Sequence, residues 1–230
     1  MDFSIIADNW PLYMQGLGLT LQLVALSLVI GFCIALPLAL MRQSSIKAVS
    51  WFAWGYIYFF RGTPLLVQLF IIYFGLGQWE WLKTTWAWDL FKEAYFCALL
   101  SFTLNTAAYS AEIIRGAIAA TPHGEVEAAV AYGMSPFKRM FRIILPSAAR
   151  RALHAYSNEI IFMLHGSSVA GIITLNDLTG VARLVNSRYY SPFEAFLTSG
   201  LIYLCVTFAI VAAVKALENR WHAHLRPRTA

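Results

Sequence analysis

Five long apolar stretches separated by short polar connections set the pattern of this chain, over residues 17–41, 48–77, 94–119, 151–173 and 192–217. Each is long enough to cross a bilayer as a helix, which takes about 20 residues. The fifth has a clean start: Ser191 can cap, Pro192 fits the first helical position, and Glu194 completes a capping box. No glycine-serine linker, low-complexity tract or internal repeat divides the chain. The pattern predicts an all-α polytopic membrane protein with five transmembrane helices in one domain, residues 1–230.

Composition agrees with that reading. Only 13% of the residues are charged, against about 25% in soluble domains. The net charge of +5 reflects membrane topology rather than nucleic-acid binding, because the basic residues cluster in alternate connections. Arg42, Lys47, Lys138, Arg139, Arg142, Arg150, Arg151, Arg220, Arg226 and Arg228 fall on one side, and Lys83, Lys92, Arg183 and Arg188 on the other. The richer side is expected in the cytoplasm. Five spans then place the N-terminus, with Asp2 and Asp8, in the periplasm and the C-terminus in the cytoplasm. The N-terminus lacks a basic region, so the first span is not expected to be a cleaved signal. Cys33, Cys97 and Cys205 lack metal-type spacing and are expected to be small buried hydrophobes.

Between the third and fourth spans the chain turns polar and patterned: EVEAAVAYGMSPFKRMFRIILP, residues 125–146. Thr121-Pro122 predicts a helix start, with Thr121 as cap and Glu125 and Glu127 near the positive end. Gly133 can take the positive-φ conformation that stops it. Ser135-Pro136 opens a second helix, and Pro146 disfavours helical geometry at Leu145. A two-helix cytoplasmic knob over about residues 120–147 is expected. Lys138, Arg139 and Arg142 beside Met140, Phe141 and Ile143 leave open an amphipathic element lying on lipid headgroups.

The spacing of Glu127-Ala128-Ala129, Gly133, Ile143, Leu145 and Pro146 resembles the signature of membrane subunits of bacterial ATP-binding-cassette importers. YFFRGTPLLVQLFIIYFGL (58–76) and NTAAYSAEIIRGAI (105–118) look like the polar amino acid permease branch. NEIIFMLHGSSV (158–169), with His165-Gly166-Ser167-Ser168, resembles M-type subunits of histidine/lysine/arginine/ornithine and opine (octopine, nopaline) importers. The resemblance implies an inner-membrane permease moving amino acids, basic ones or opines. It also implies three partners: an ATP-hydrolysing subunit dimer, a homologous Q-type permease subunit and a periplasmic substrate-binding protein. Glu127, Ala128, Ala129 and Gly133 would then form the docking contact with the ATPase. The chain has no Gly-x-x-x-x-Gly-Lys-Ser/Thr segment, so ATP would bind the partner, and no cofactor is expected here.

Polar residues within spans are costly and mark pathways or interhelical contacts. Asn105, Tyr109, Glu112 and Gly116 share one face of the third span. His154, Asn158, His165 and Ser168 share one on the fourth. Two such stripes suggest the walls of a translocation path, with interhelical hydrogen bonding as the alternative. Arg115 lies three residues after Glu112, so an ion pair is expected there. A cationic cargo could instead meet Glu112 or Glu159. His165 is a lone imidazole suited to packing, and no metal site is expected. Pro64 should kink the second span, leaving Arg61 at a hinge, near a substrate carboxylate, or snorkelling to headgroups. Asp177, Arg183 and Arg188 in the segment 176–191 are candidate contacts for the binding protein.

Two other classes compete. A small intramembrane enzyme could use His123, Glu125 and Glu127, but these lack the clustered motif of metal-assisted chemistry. A secondary carrier would usually show an internal repeat.

Overall fold

The computed structural model describes residues 3–221; Asp2, Arg226 and Arg228 of the predicted topology lie outside them. Among the described residues all regular structure is helical. In chain order the helices are α1 (Ser4–Asp8), α2 (Trp10–Arg42), α3 (Lys47–Gly62), α4 (Leu65–Phe70), α5 (Glu80–Lys83), α6 (Trp88–Phe91), α7 (Ala94–Ala119), α8 (His123–Ala131), α9 (Pro136–Arg139), α10 (Leu145–Gly166), α11 (Leu178–Tyr189) and α12 (Pro192–Trp221). Three of them, α2, α7 and α12, are each long and apolar enough to cross a membrane. The number rises to five when two bent helix pairs each count as one span.

The centre of the bundle is α7. Its buried face is built of small residues: Ala98, Ser101, Ala107, Ala108, Ser110 and Ala111. Small side chains let helix backbones approach closely, which is how helices pack in lipid without a hydrophobic drive between them. The closest approach is to α2, where a Cβ on Gly31 would lie 2.5 Å from Thr106 Cγ2. The outermost long helix is α12, whose Leu201, Leu204, Phe208 and Val211 are exposed, an apolar surface suited to hydrocarbon. Cys97 is buried as expected, but Cys33 and Cys205 are exposed on α2 and α12. Their apolar surroundings in sequence reflect the outer surface of the bundle rather than its core.

The first span starts earlier than the apolar run suggests. Trp10 and Pro11 open α2, and Tyr13 is buried with its hydroxyl donating to the Ala195 carbonyl of α12 (3.1 Å). Packing, rather than lipid contact, recruits that first turn. The second span is broken rather than kinked. Between α3 and the helical run Leu65–Gln78 the axis turns by 103°, with Thr63 extended (φ −117°, ψ 144°). Proline at 64 has no N–H to continue the ladder. The exposed carbonyls are taken up by two amides: Gln68 Nε2 donates to Phe60 O (2.9 Å) and Thr63 O (3.0 Å), while Asn105 Nδ2 donates to Phe60 O (3.3 Å) and Gln68 Oε1 (3.0 Å).

The fourth span also departs from expectation. Pro146 does not end a helix: Leu145 is helical (φ −63°, ψ −45°), and a π-helical turn at Met140–Ile144 joins α9 to α10 without a break. A wider turn ahead of the proline relieves the clash between its ring and the carbonyl four residues back. The second arm of the knob is therefore an extension of α10 itself. After Gly166 the chain tightens into a 3-10 run, Ser167–Ile173, and Asp177 caps α11 by accepting from Gly180 N (2.9 Å) and Thr179 N (3.4 Å). Asp177 is 0% exposed, so it is a cap rather than a surface contact. The next helix starts at Pro192 as expected, and the Ser191 hydroxyl donates to the Tyr189 carbonyl (3.1 Å).

Gly180 has no room for a side chain. A Cβ there would lie 2.1 Å from Leu175 O and 3.1 Å from Asp177 Oδ1. Gly180→Ala is expected to destabilise the fold by about 2 kcal/mol, as overpacking does. That corresponds to a fall of about 5 °C in the thermal denaturation midpoint in detergent. An unchanged midpoint would mean that the Leu175 carbonyl moves aside at no cost.

Candidate functional site

Two regions gather the functional candidates. The first is the knob. Helix α8 starts at His123, and its N-cap position is Pro122 with no side-chain cap. Thr121 is not the cap: it is buried, and its hydroxyl accepts from Arg151 (2.7 Å). Arg151 also donates to the Ala117 carbonyl (3.2 and 3.3 Å) and Ser147 Oγ (2.7 Å). One guanidinium thus ties the end of α7 to the start of α10, satisfying carbonyls that a helix end leaves free.

Helix α8 ends in a full Schellman motif. Met134 N donates to Ala129 O (3.0 Å), Gly133 N donates to Val130 O (2.9 Å), and Gly133 has φ +70°. Ser135 then caps α9. Glu127 and Ala128 are exposed, but Ala129 is buried between the two arms. Its side chain is therefore withdrawn from the exposed surface that Glu127 and Ala128 present. Three residues missed by sequence reasoning complete the exposed surface: Val130 (53%), Tyr132 (88%) and Phe137 (71%). Large apolar groups on a polar loop were the available signal, since such patches mark interaction sites.

The second region is a cavity of about 560 Å³ at the break in the second span. It is lined by Arg61, Thr63, Pro64, Asn105, Tyr109, Glu159, Phe162 and Met163. Glu159 is 4% exposed and accepts from the Thr106 hydroxyl (2.7 Å). It has no cation within salt-bridge distance among the described residues. A second cavity, about 390 Å³, contains Arg42, Trp54, Tyr58 and Glu112 and shares Arg61, Gly62 and Tyr109 with the first. The Arg61 guanidinium carbon lies 5.3 Å from the Tyr109 ring centroid, within cation–π range. The Tyr109 hydroxyl reaches the Arg61 carbonyl (3.5 Å). Glu112 is paired with Arg115, which donates Nε at 2.9 Å, as its i, i+3 spacing predicts.

Of the residues proposed for the pathway, Arg61, Asn105, Tyr109 and Glu159 meet in the larger cavity, and Glu112 lies in the smaller one. The stripe on the fourth span does not meet them. His165 Nε2 is 3.2 Å from Thr207 Oγ1, and His154 Nδ1 is 3.3 Å from Glu218; both partners sit on α12. Asn158 is exposed, Ser168 is half-buried in the 3-10 run, and neither lines either cavity. Helix α10 is turned so that Glu159, Phe162, Met163 and Gly166 face the cavity, an i, i+3, i+4, i+7 set. Gln68 was also missed, although a lone amide within LLVQLFII was its signal.

The structure is thus a helical bundle with a broken span, a cavity at the break that holds Arg61 and Glu159, and a two-armed knob. Residues 27–223 match the family described as "Binding-protein-dependent transport system inner membrane component", and the chain belongs to that family. It is 44% identical over 229 residues to the nopaline transport system permease protein NocM of Agrobacterium fabrum, covering 99% of this chain and 95% of that protein. It is 46% identical over 213 residues to the histidine/lysine/arginine/ornithine transport system permease protein HisM of Escherichia coli K12, covering 92% and 90%. Among solved structures, an amino acid ABC transporter crystallised with histidines superposes with TM-score 0.86 at 36% identity, covering 96% of this chain and 99% of that one. The MetNI methionine ABC transporter, in an inward-facing conformation, shares the fold, with TM-score 0.77 at 19% identity, covering 93% and 97%.

Proposed function

We propose that this chain is one permease subunit of an ATP-driven importer that carries basic amino acids or opines across the bacterial inner membrane. The observation that carries the reading is the Glu159 carboxylate at the wall of the larger cavity, without a paired cation and beside Asn105 and Tyr109. An ammonium or guanidinium group entering there pairs with that carboxylate, and the Asn105 amide and Tyr109 ring orient it. The names of the relatives, transporters of nopaline and of histidine, lysine, arginine and ornithine, point to the same cargo class.

The chain does no bond-making chemistry of its own. A separate ATPase subunit docks on Glu127, Ala128 and the apolar group Val130, Tyr132 and Phe137. Gly133 and the buried Ala129 fix the angle and spacing of the two arms. Because the second arm runs unbroken into α10, displacement of the knob moves the helix that carries Glu159, a rigid-body route to alternating access. A homologous Q-type subunit completes the permease. A periplasmic binding protein meets the opposite face, where Arg183 and Arg188 on α11 are exposed. This orientation puts the N-terminus in the periplasm and the C-terminus in the cytoplasm.

The test is ATP hydrolysis by the complex co-expressed from neighbouring genes and reconstituted in liposomes, with binding proteins loaded with arginine, histidine or an opine. Stimulation by a loaded binding protein is the expected result. Failure of the chain to associate with any ATPase subunit would overturn the reading.

A further inference from the structure

Arg61 stands between two carboxylates in different cavities. It lines both cavities, sharing the smaller with Glu112 and the larger with Glu159. Neither forms a salt bridge with it: among the described residues the ion pair of Glu112 is with Arg115, and the hydrogen-bond partner of Glu159 is the Thr106 hydroxyl. The guanidinium rests against the face of Tyr109, at 5.3 Å.

The larger cavity therefore carries a basic group of its own as well as a carboxylate. Among the residues that line it, Glu159 is the acidic one and Arg61 the basic one. A cation moving to Glu159 meets the like charge of Arg61 in the lining of the same cavity. The smaller cavity offers Arg61 somewhere to go. Both Arg115 contacts with Glu112 fall on Oε1, so the other carboxylate oxygen can accept a second cation. Tyr109, shared by the two cavities, supplies a ring face along the way.

We propose that Arg61 is an internal counter-ion that stands in for the cargo: it neutralises Glu159 in the empty site and yields to a cationic amino acid by swinging toward Glu112. This rests on Glu159 being the cargo's cation subsite. Arg61 is thus a specificity-determining residue that competes with the cargo's cation, rather than a ligand for the cargo's carboxylate. The two roles predict opposite signs, because removing a competitor tightens binding and removing a ligand weakens it.

The experiment measures equilibrium binding of labelled L-arginine and of agmatine, which lacks the carboxylate. It uses the assembled permease–ATPase complex in nanodiscs, without binding protein. Arg61→Gln and Arg61→Met are two independent uncharged variants, so that loss of one through misfolding leaves the other. Removing a like charge from the lining of the same cavity is expected to tighten binding of both ligands roughly tenfold, while Arg61→Lys stays near wild type. Weaker arginine binding with agmatine unchanged would show that Arg61 reads the carboxylate and would overturn the proposal. Binding that is unchanged or undetectable for both ligands in both uncharged variants would overturn it too. Glu159→Gln, measured beside them, separates the underlying reading: wild-type arginine binding there removes Glu159 as the subsite, whatever Arg61 does.

Discussion

Glu159→Gln is expected to lower uptake of a cationic amino acid about 10- to 100-fold while the subunit still inserts and assembles. The substitution keeps the shape of the side chain and its ability to accept from the Thr106 hydroxyl (2.7 Å in the parent), so the packing between α7 and α10 survives. It removes the negative charge that a guanidinium or ammonium group would meet. A hydrogen bond to a charged group contributes about 1.5–3 kcal/mol, and about 1.4 kcal/mol is a factor of ten. Glu159→Asp keeps the charge but withdraws it by one methylene, and should fall between the two. Uptake of labelled arginine into proteoliposomes containing ATP checks both variants. Parental uptake by Glu159→Gln would remove Glu159 as the cation subsite.

The other large effect is expected at the knob. Gly133→Val should leave membrane insertion intact and abolish coupled uptake, with at least about a tenfold loss of binding-protein-stimulated ATP hydrolysis. Space is not the obstacle, because a Cβ on Gly133 would meet nothing within 4 Å. The obstacle is φ +70°, a left-handed conformation costing an L-residue about 1–2 kcal/mol and more when it is β-branched. Relieving that strain breaks the bonds from Met134 N to Ala129 O and from Gly133 N to Val130 O. The arm leading into α10 then leaves its angle to α8. Asparagine visits this conformation far more readily, so Gly133→Asn should recover much of the coupling. If valine and asparagine behave alike, side-chain bulk at the ATPase contact decides the outcome, not backbone geometry.

Both predictions draw on residues that stand out in the sequence, but the sequence carries them differently. The knob is local. Proline and serine at its helix starts, and glycine at its turn, act through φ, missing donors and short-range hydrogen bonds, all properties of adjacent residues. Gly133, Ser135 and Pro136 therefore take the places their chemistry predicts. The ion pair of Glu112 with Arg115 is local in the same sense. The five apolar runs are equally legible, because the length a bilayer demands is a property of the chain alone.

Contacts distant in sequence decided the rest. Thr121 has the chemistry of a cap, yet Arg151, 30 residues away, claims its hydroxyl. Asp177 looks like a surface charge and is instead a buried helix cap. Pro64 announces a disruption, but its 103° size depends on Gln68 and Asn105 being placed to take the freed carbonyls. The fourth span has a polar face with His154 and His165 and a mainly apolar one that carries Glu159. Periodicity fixes which residues share a face but not which neighbour that face meets. The rotation of α10 against α7 and α12 settles it, sending the histidines to the last helix and Glu159 to the cavity. The chain by itself thus determined which runs are apolar enough for a membrane and where its knob folds. The packing of helices far apart in sequence decided which carboxylate faces the cavity, because in lipid close packing and buried hydrogen bonds, rather than apolar burial, choose among helix faces.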